Sequence, residues 1–458
     1  MSTQKNTGST GAQSNALLLL ITRLHFYIGL FVGPFIFIAA FTGVLYIITP
    51  QLESALYSDA LTTQSIGEYK TLTEQIAAAK SNLDEELTLF AVRPAPEQGD
   101  TTRIMFLDPT AGLSGARALF IDPVTLELKG NLAVYGTSGI LPLRTTIDYL
   151  HRQLLLGEFG RYYSELAASW LWFAALGGLF LWMKGGKKNQ TEFASRTLHL
   201  TKRRRHGQLG LVIFMGLLFF SATGLTWSKW AGGNIGDVRK TLGWVTPSVS
   251  LSLTAIEENS DEHADHIQHT DHLPKPTTEV PNDRLFDQIL ATAKSAGINA
   301  HKLEIKPPKS IDKAWYVREI DRSWPSQVDS VAIDPRSMTV TSRSDFETYP
   351  LIAKLIRWGI DAHMGILFGV VNQVILTFFG LALCLMIIWG YKMWWMRRPT
   401  AGQTVKPLLQ AWNRLSGLGK IVTLLIAILL SISLPVMGVS LILFLLVDLF
   451  RWQQQSKQ

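Results

Sequence analysis

Four of the ten histidines stand in a repeated frame. Arg23-Leu24-His25 is followed four residues later by Gly29 and eighteen residues later by Gly43, the second member of a Thr-Gly pair. Arg204-Arg205-His206 is followed at the same distances by Gly210 and Gly224, and Gly224 again follows a threonine. His151 and His363 each stand six residues before a glycine, Gly157 and Gly369, and twenty-nine residues after the aspartate of an Asp-Pro pair, Asp122-Pro123 and Asp334-Pro335. Matching spacings mark two copies of one unit. Imidazole is the commonest side-chain metal ligand, so the chemistry on offer is metal ligation by two histidine pairs, His25 with His206 and His151 with His363.

The elements that must position these residues are apolar. Of the 458 residues only 17% are charged, against about 25% in soluble proteins. Phe26 to Ile48 carries no charge, long enough for a hydrocarbon core of about 30 Å. Leu166 to Met183, Leu209 to Trp227 and Met364 to Tyr391 are further runs, and Ile421 to Phe450 is a fifth, interrupted by Pro435. Pro34 is expected to kink the first run, because proline removes a backbone donor. No charged residue is expected deep in a span to line an ion path, which argues against a transporter.

The net charge of +7 does not point to nucleic acid. Eight Lys or Arg against one acid fill Lys184 to Arg205, and six against none fill Lys392 to Lys420. Both tracts abut apolar runs, as cytoplasmic loops do. One cysteine, Cys384, excludes disulfides and thiolate clusters within the chain. No small-residue cleavage site follows the first run, which reads as a retained anchor.

The expected order is therefore a disordered polar tail (1–16), a first span (17–49), a soluble domain (50–147), a second span (148–184), a basic loop (185–205), a third span (206–230), a second soluble domain (231–350), a fourth span (351–396), a basic loop (397–420) and a C-terminal hydrophobic hairpin (421–450). Five spans in all is the alternative to six. The first soluble domain is expected to hold a helix near Leu72 to Leu83 and strands at Thr102 to Leu107, Ala116 to Ile121 and Leu126 to Gly130. The second is expected to hold a helix near Leu285 to Ala296 and strands near Lys302 to Ile305, Ala314 to Glu319 and Ser330 to Ile333. Glu257 to Glu279 is an acidic, histidine-rich insertion, with His263, His266, His269 and His272 three apart. It is either a metal-capture tract or a solvated loop.

By this order His25 and His206 open spans from the cytoplasmic side, and His151 and His363 open spans from the other. Two histidines per site suit an iron porphyrin better than zinc, whose closed sites usually have four protein ligands. Arg23, Arg152, Arg204, Arg205 and Arg357 could meet the propionates of such a ring. Gly29, Gly157, Gly210 and Gly369 would give it room, or would serve as helix contacts alone. Two axial histidines close the iron to oxygen and favour electron transfer.

The repeated Arg-x-His frame, the Thr-Gly pairs, the Leu-His-x-x-Leu-Leu-x-Gly-x-x-Gly-Arg run from Leu150 to Arg161 and the Ile-Asp-Pro-x-Thr turn at Ile121 resemble the PepSY-associated transmembrane family, over about residues 17–400. The resemblance implies a mainly α membrane protein. Four core spans from an internal repeat, plus the C-terminal hairpin, would carry two small α+β PepSY-like periplasmic domains. It also implies two bound b-type haems on His25, His206, His151 and His363 in a bacterial inner membrane. In some members it implies reduction of ferric siderophores. The chain holds no dinucleotide fingerprint or flavin motif, so electrons would come from an outside cytoplasmic or quinol donor. The other reading is a membrane-anchored PepSY binding or regulatory protein without catalysis.

Overall fold

The computed structural model describes residues 8–111, 115–135, 139–184, 194–254, 282–396 and 408–455. The insertion expected at Glu257 to Glu279 lies outside these residues, as does part of each basic tract (185–193 and 397–407). The described chain is mostly helical and divides into two compact units.

The first unit (1–45, 149–239 and 374–458) is all helical. Three of its helices are long and apolar enough to cross a membrane: Ala16–Ile47, Gly157–Lys184 and Val370–Met396. A fourth segment, Thr201–Val212 with Phe214–Thr226, passes the same test but bends by 60°. The straight span expected over Leu209 to Trp227 is therefore broken. The bend sits between Gly210 and Gly216, and glycine is a usual site for kinks. At Gly216 a Cβ would run into the Phe379 ring. Residues 8–16, expected in a disordered tail, continue the first helix, which runs Gly8–Tyr27 before a π-helical turn. Once a helix is nucleated, each added residue gains a hydrogen bond at little further cost.

Gly417–Ser433 and Pro435–Gln455 follow at the C-terminal end. The break falls at Leu434, which is forced out of helical geometry by the proline after it (φ −125°, ψ 79°). The core of this unit is aromatic and aliphatic, with Tyr27, Val32, Trp170, Ile213, Leu217 and Phe444 buried together. Its outer faces are apolar as well, Val374 and Leu429 each being 64% exposed. Apolar faces with no protein partner, on helices of this length, are those of a bundle solvated by lipid.

The second unit (46–148 and 240–373) carries one antiparallel sheet of eight strands. They are β1 (Thr88–Arg93), β2 (Thr102–Leu107), β3 (Gly115–Ile121), β4 (Leu128–Tyr135), β5 (Leu303–Lys306), β6 (Trp315–Glu319), β7 (Ser330–Asp334) and β8 (Thr339–Ser344). The order is β4-β3-β2-β1-β5-β6-β7-β8. The two soluble segments expected as separate domains thus share one sheet, joined where Val92 of β1 pairs with Ile305 of β5.

Two turns share one device. Asp122 accepts from the Val124 and Thr125 amides, and Asp334 from that of Arg336. Leu126 and Met338 then adopt positive φ (67° and 52°). This left-handed Leu126 starts β4 at Leu128, two residues later than expected.

Helices Leu72–Ser81 and Phe286–Ser295 cover one face. Thr71 caps the first in a capping box with Glu74. Asp287 of the second helix reaches across to accept from the Leu72 and Thr73 amides at 2.7 and 3.1 Å. The opposite face is split. Its first half is apolar, built on Phe90, Ala91, Met105 and Phe120. Its second half buries a carboxylate, Glu304, with no exposed surface. Arg93 of β1 donates to it from Nε and Nη2 at 2.8 and 2.5 Å. Arg318 donates from Nε at 2.9 Å, and Lys306 lies at 3.4 Å.

Burial alone would raise the Glu304 carboxyl; Arg318, Arg93 and Lys306 outweigh it and hold the group well below the usual carboxylate range. This depressed pKa contributes stability that is fully present above the unfolded value of about 4.3 and is lost as pH falls toward the folded one. The Glu304 contribution should therefore be flat from neutral pH to about 5 and fall in stronger acid. Glu304→Gln, which strands the arginines, should cost about 3–5 kcal/mol. Thermal unfolding of the two proteins at pH 7, 5 and 3 checks both, since the gap between them should narrow only at the lowest pH.

Candidate functional site

His25 lies on the first helix three residues before a π-helical turn, Ile28–Val32, where the Gly33 amide reaches back to the Ile28 carbonyl. Pro34 follows, and has no amide to offer the Leu30 carbonyl four residues earlier. The Tyr391 hydroxyl supplies the missing donor at 2.6 Å, and its ring fits against Gly33. The expected disturbance at Pro34 is thus a wide turn.

The His25 ring faces helix Gly157–Lys184 at a glycine pair. A Cβ on Gly178 would stand 3.2 Å from its Cε1, and one on Gly177 3.8 Å from its Nδ1. Nδ1 is buried and has no hydrogen-bond partner, although the Ala174 carbonyl stands beside the ring. His206, on the first half of the bent segment, faces helix Val370–Met396 in the same manner. Its Nδ1 lies 3.1 Å from the Met386 carbonyl, and Gly390 is the facing glycine, where a Cβ would stand 3.9 Å from Cε1. Gly178 and Gly390 each come twenty-seven residues after His151 and His363, and each facing carbonyl comes four residues before its glycine. His25 and His206 are close enough to feel each other's charge. A carbonyl can only accept, so His206 Nδ1 carries the proton and Nε2 keeps its lone pair for a ligand.

His151 and His363 do not open membrane helices. His151 lies in the last turn of a short amphipathic helix, Pro142–Gln153, and His363 is the last residue of another, Leu351–His363. The long helices begin afterwards, at Gly157 and Val370. Between them the chain turns through left-handed residues: Leu154, Leu155 and Gly157 in one case (φ 52°, 58° and 59°), Gly365, Phe368 and Gly369 in the other (φ 70°, 59° and 56°).

The first Thr-Gly pair is engaged. The Thr42 hydroxyl lies 3.0 Å from His151 Nδ1 and donates its own proton to the Ile38 carbonyl at 2.7 Å. It therefore accepts from Nδ1–H, which leaves Nε2 the basic nitrogen of His151. A Cβ on Gly43 would stand 3.3 Å from His151 Cε1. Tyr163 donates to the His151 backbone carbonyl at 2.9 Å.

Of the glycines expected to make room, Gly29, Gly157 and Gly369 face open space, and a Cβ on Gly210 would stand 3.4 Å from the Met386 sulfur. The glycine of the Leu150–Arg161 motif that admits no side chain is Gly160, whose Cβ would overlap the Gln153 carbonyl. The close glycines at the rings are Gly43, Gly178 and Gly390, and none of the last two was singled out by sequence. The arginines differ too. Arg23 Nε is buried without a hydrogen-bond partner. Arg204 and Arg205 are exposed. Arg152 lies over the Tyr149 ring at 5.5 Å. Arg357 is committed to Asp361 at 3.1 Å, and Arg322 pairs with the same carboxylate.

No group of three or more His, Cys, Asp or Glu side chains gathers as a metal site among the described residues. The His25/His206 pair alone cannot fill a closed tetrahedral zinc shell. His25 with an unpartnered Nδ1, His206 with its tautomer set by Met386, and the glycines Gly177, Gly178 and Gly390 beside the rings are what this part of the bundle would offer a ligand that brings further donors of its own.

Tyr391→Phe removes the donor to the Leu30 carbonyl and leaves it stranded in an apolar wall. The loss should be about 1–3 kcal/mol, read as a lower thermal midpoint in detergent with the helical content of the folded protein unchanged.

A search of characterised proteins gives no match to the chain. A family model does match, that of the PepSY-associated TM region, over residues 22–397. That span holds all four framed histidines, both short amphipathic helices and the whole sheet, and the chain is a membrane protein belonging to the PepSY-associated TM region family.

Proposed function

We propose that the protein carries electrons across a bacterial inner membrane through two b-type haems, each held by two histidines, and reduces a ferric chelate such as a ferric siderophore in the periplasm. The observation that carries this is the His25/His206 pair: two imidazoles inside one apolar bundle, each set against a facing glycine and a backbone carbonyl. When bound, a bis-histidine haem supplies one-electron iron chemistry with no open coordination site. Met386 holds His206 Nδ1–H, and Thr42 holds His151 Nδ1–H, so both rings present Nε2. Arg23, whose Nε is buried without a hydrogen-bond partner, supports the reading as a cation available to a propionate.

The pairing of His151 with His363 rests on the repeated spacing in the chain. So does the layout of four core spans in two copies, with the bent segment as one of the four. The basic tracts beside the membrane helices support a cytoplasmic position for those loops, which puts the sheet-bearing unit in the periplasm. A ferric chelate would then meet the His151/His363 end without crossing the membrane. Reduction loosens the chelate, because hard oxygen donors hold ferrous iron less well than ferric.

Purified protein should give a reduced-minus-oxidised spectrum of six-coordinate b-type haem, close to two per chain, and the haem should extract into acidic acetone because no Cys-x-x-Cys-His attaches it. His25→Ala and His206→Ala should each remove one and the same haem, and Gly178→Val, which crowds the His25 ring, should weaken that haem alone. His151→Ala and His363→Ala should remove the other. Colourless protein from haem-replete cells would return the chain to the reading as an anchored binding protein.

Dithionite-reduced protein should be reoxidised anaerobically by a ferric siderophore, with ferrous iron caught by a chelator. His151→Ala and His363→Ala should abolish this while the haem of the His25 pair is still reduced. Rapid reoxidation by a copper or disulfide acceptor, but not by ferric chelates, would keep electron transfer and discard iron.

A further inference from the structure

The sheet-bearing unit gathers arginines at the residue that ends the first apolar helix. Tyr46 is the last residue but one of Ala16–Ile47, and its hydroxyl is buried with no hydrogen-bond partner. The Arg144 guanidinium lies over the Tyr46 ring, 4.7 Å from the centroid. Nε and Nη2 of Arg144 are buried without hydrogen bonds. Arg322 acts on the same Tyr46 hydroxyl. Its Nη2 faces Asp361, and its Nε is buried without a hydrogen bond. All of these groups belong to the one unit.

The carboxylates around these donors do not balance them. Glu53 accepts from the Arg144 backbone amide at 2.9 Å, which turns it to the first turn of helix Pro142–Gln153, and burial pushes its carboxyl up. Asp361 is shared between Arg322 and Arg357. Burial, with Arg322 alongside, pulls Arg357 down to about 10. Asp148, one turn beyond Arg144, also acts on Tyr46. Four guanidinia, Arg103, Arg144, Arg322 and Arg357, thus face three carboxylates, Glu53, Asp148 and Asp361. Arginine only donates and keeps its proton, and an unbalanced buried charge is costly. Even where Arg144 leans on the Tyr46 oxygen, the hydroxyl proton and Arg322 Nε still need an acceptor. A water would bring donors of its own and no charge. An oxyanion brings acceptors and a negative charge, and the guanidinium fork matches its geometry.

We propose that Tyr46, Arg144 and Arg322 hold one phosphate-type oxyanion, carried by a phospholipid headgroup or present as free phosphate. Tyr46 ends an apolar helix, the depth at which tyrosine meets headgroups and which dissolved phosphate also reaches. This reading does not depend on haem or on electron transfer.

The test uses the full chain, delipidated in maltoside detergent, and reads the thermal midpoint at constant ionic strength. Inorganic phosphate should raise the wild-type midpoint where chloride does not. Arg144→Gln should raise the phosphate needed for half the effect about tenfold, as loss of a charge-assisted hydrogen bond requires, and Tyr46→Phe about fivefold. If the source is a headgroup, phosphatidylglycerol should produce the rise in place of phosphate, and native mass spectrometry should find one phospholipid retained per wild-type chain and none on Arg144→Gln. With neither ligand present, Arg144→Gln should be at least as stable as wild type, because it removes an unbalanced buried charge. No rise with either ligand, or the same rise in both variants, overturns the proposal. So does an Arg144→Gln protein that is destabilised equally with and without ligand, which would make Arg144 a structural residue.

Discussion

An imidazole placed among apolar helices must find a partner for each buried nitrogen and room for its ring, and the bundle is arranged around that demand. A carbonyl deep in a helix is normally spent on its own ladder. His206 nevertheless reaches the Met386 carbonyl, using its second lone pair, because Gly390 one turn later has no side chain in the way. His151 uses a hydroxyl instead, which Thr42 can offer as an acceptor only because its proton is held by Ile38. His25 has the glycine and the adjacent carbonyl but not the bond. The same economy explains the first helix. Pro34 frees the Leu30 carbonyl in an apolar wall, where an unpartnered polar group costs about 1–3 kcal/mol, and Tyr391 from the facing helix closes it.

The sheet answers a different constraint. Four strands and one helix per half leave an open inner edge on β1 and on β5, and unpaired strand edges are a liability. Pairing β1 with β5 removes both at once and leaves β4 and β8 as the outer edges. The join is polar on the face away from the helices. Arg93 of the first half and Glu304 of the second meet across it, whereas the neighbouring positions Ala91 and Met105 are apolar. A buried ion pair adds little net stability over a well-fitted apolar one but is costly to break, so this one penalises any pairing that would separate Arg93 from Glu304.

What the sequence revealed follows from which signals are local. The histidine frame was legible because it is a matter of spacing along the chain, and the strands β2, β3, β6 and β7 because apolar runs are bounded by turn residues. Leu72–Ser81 was legible from its capping residues and apolar period. β1 was missed because it is buried on both faces and shows no alternation, and β8 because it is a polar, largely exposed edge. Gly178 and Gly390 were missed for a deeper reason. Whether a glycine faces a histidine depends on the rotation of one helix against another, which no spacing within a single helix encodes. The strained turn after His151 was hidden in Leu154-Leu155, side chains that rarely adopt positive φ; only Gly157 hinted at it.

Two buried acids bear on what else the bundle could be. The apolar runs carry no charge at their centres, yet helix Gly157–Lys184 buries Glu165 and helix Pro435–Gln455 buries Asp448, neither of which the sequence reading had weighed. An intramembrane carboxylate is by default a candidate for an ion or proton path. Here both are spent. Glu165 accepts from the Trp230 and Ala231 amides at 3.0 and 3.1 Å, which places a negative charge on the N-terminus of helix Trp230–Thr241. Asp448 accepts from the Tyr27 hydroxyl and the Leu409 amide, tying the C-terminal helix to the first one two residues beyond His25. A carboxylate whose oxygens each hold a donor is a fastening, and this one joins the C-terminal helix, the first helix and the Leu409 amide at one buried point.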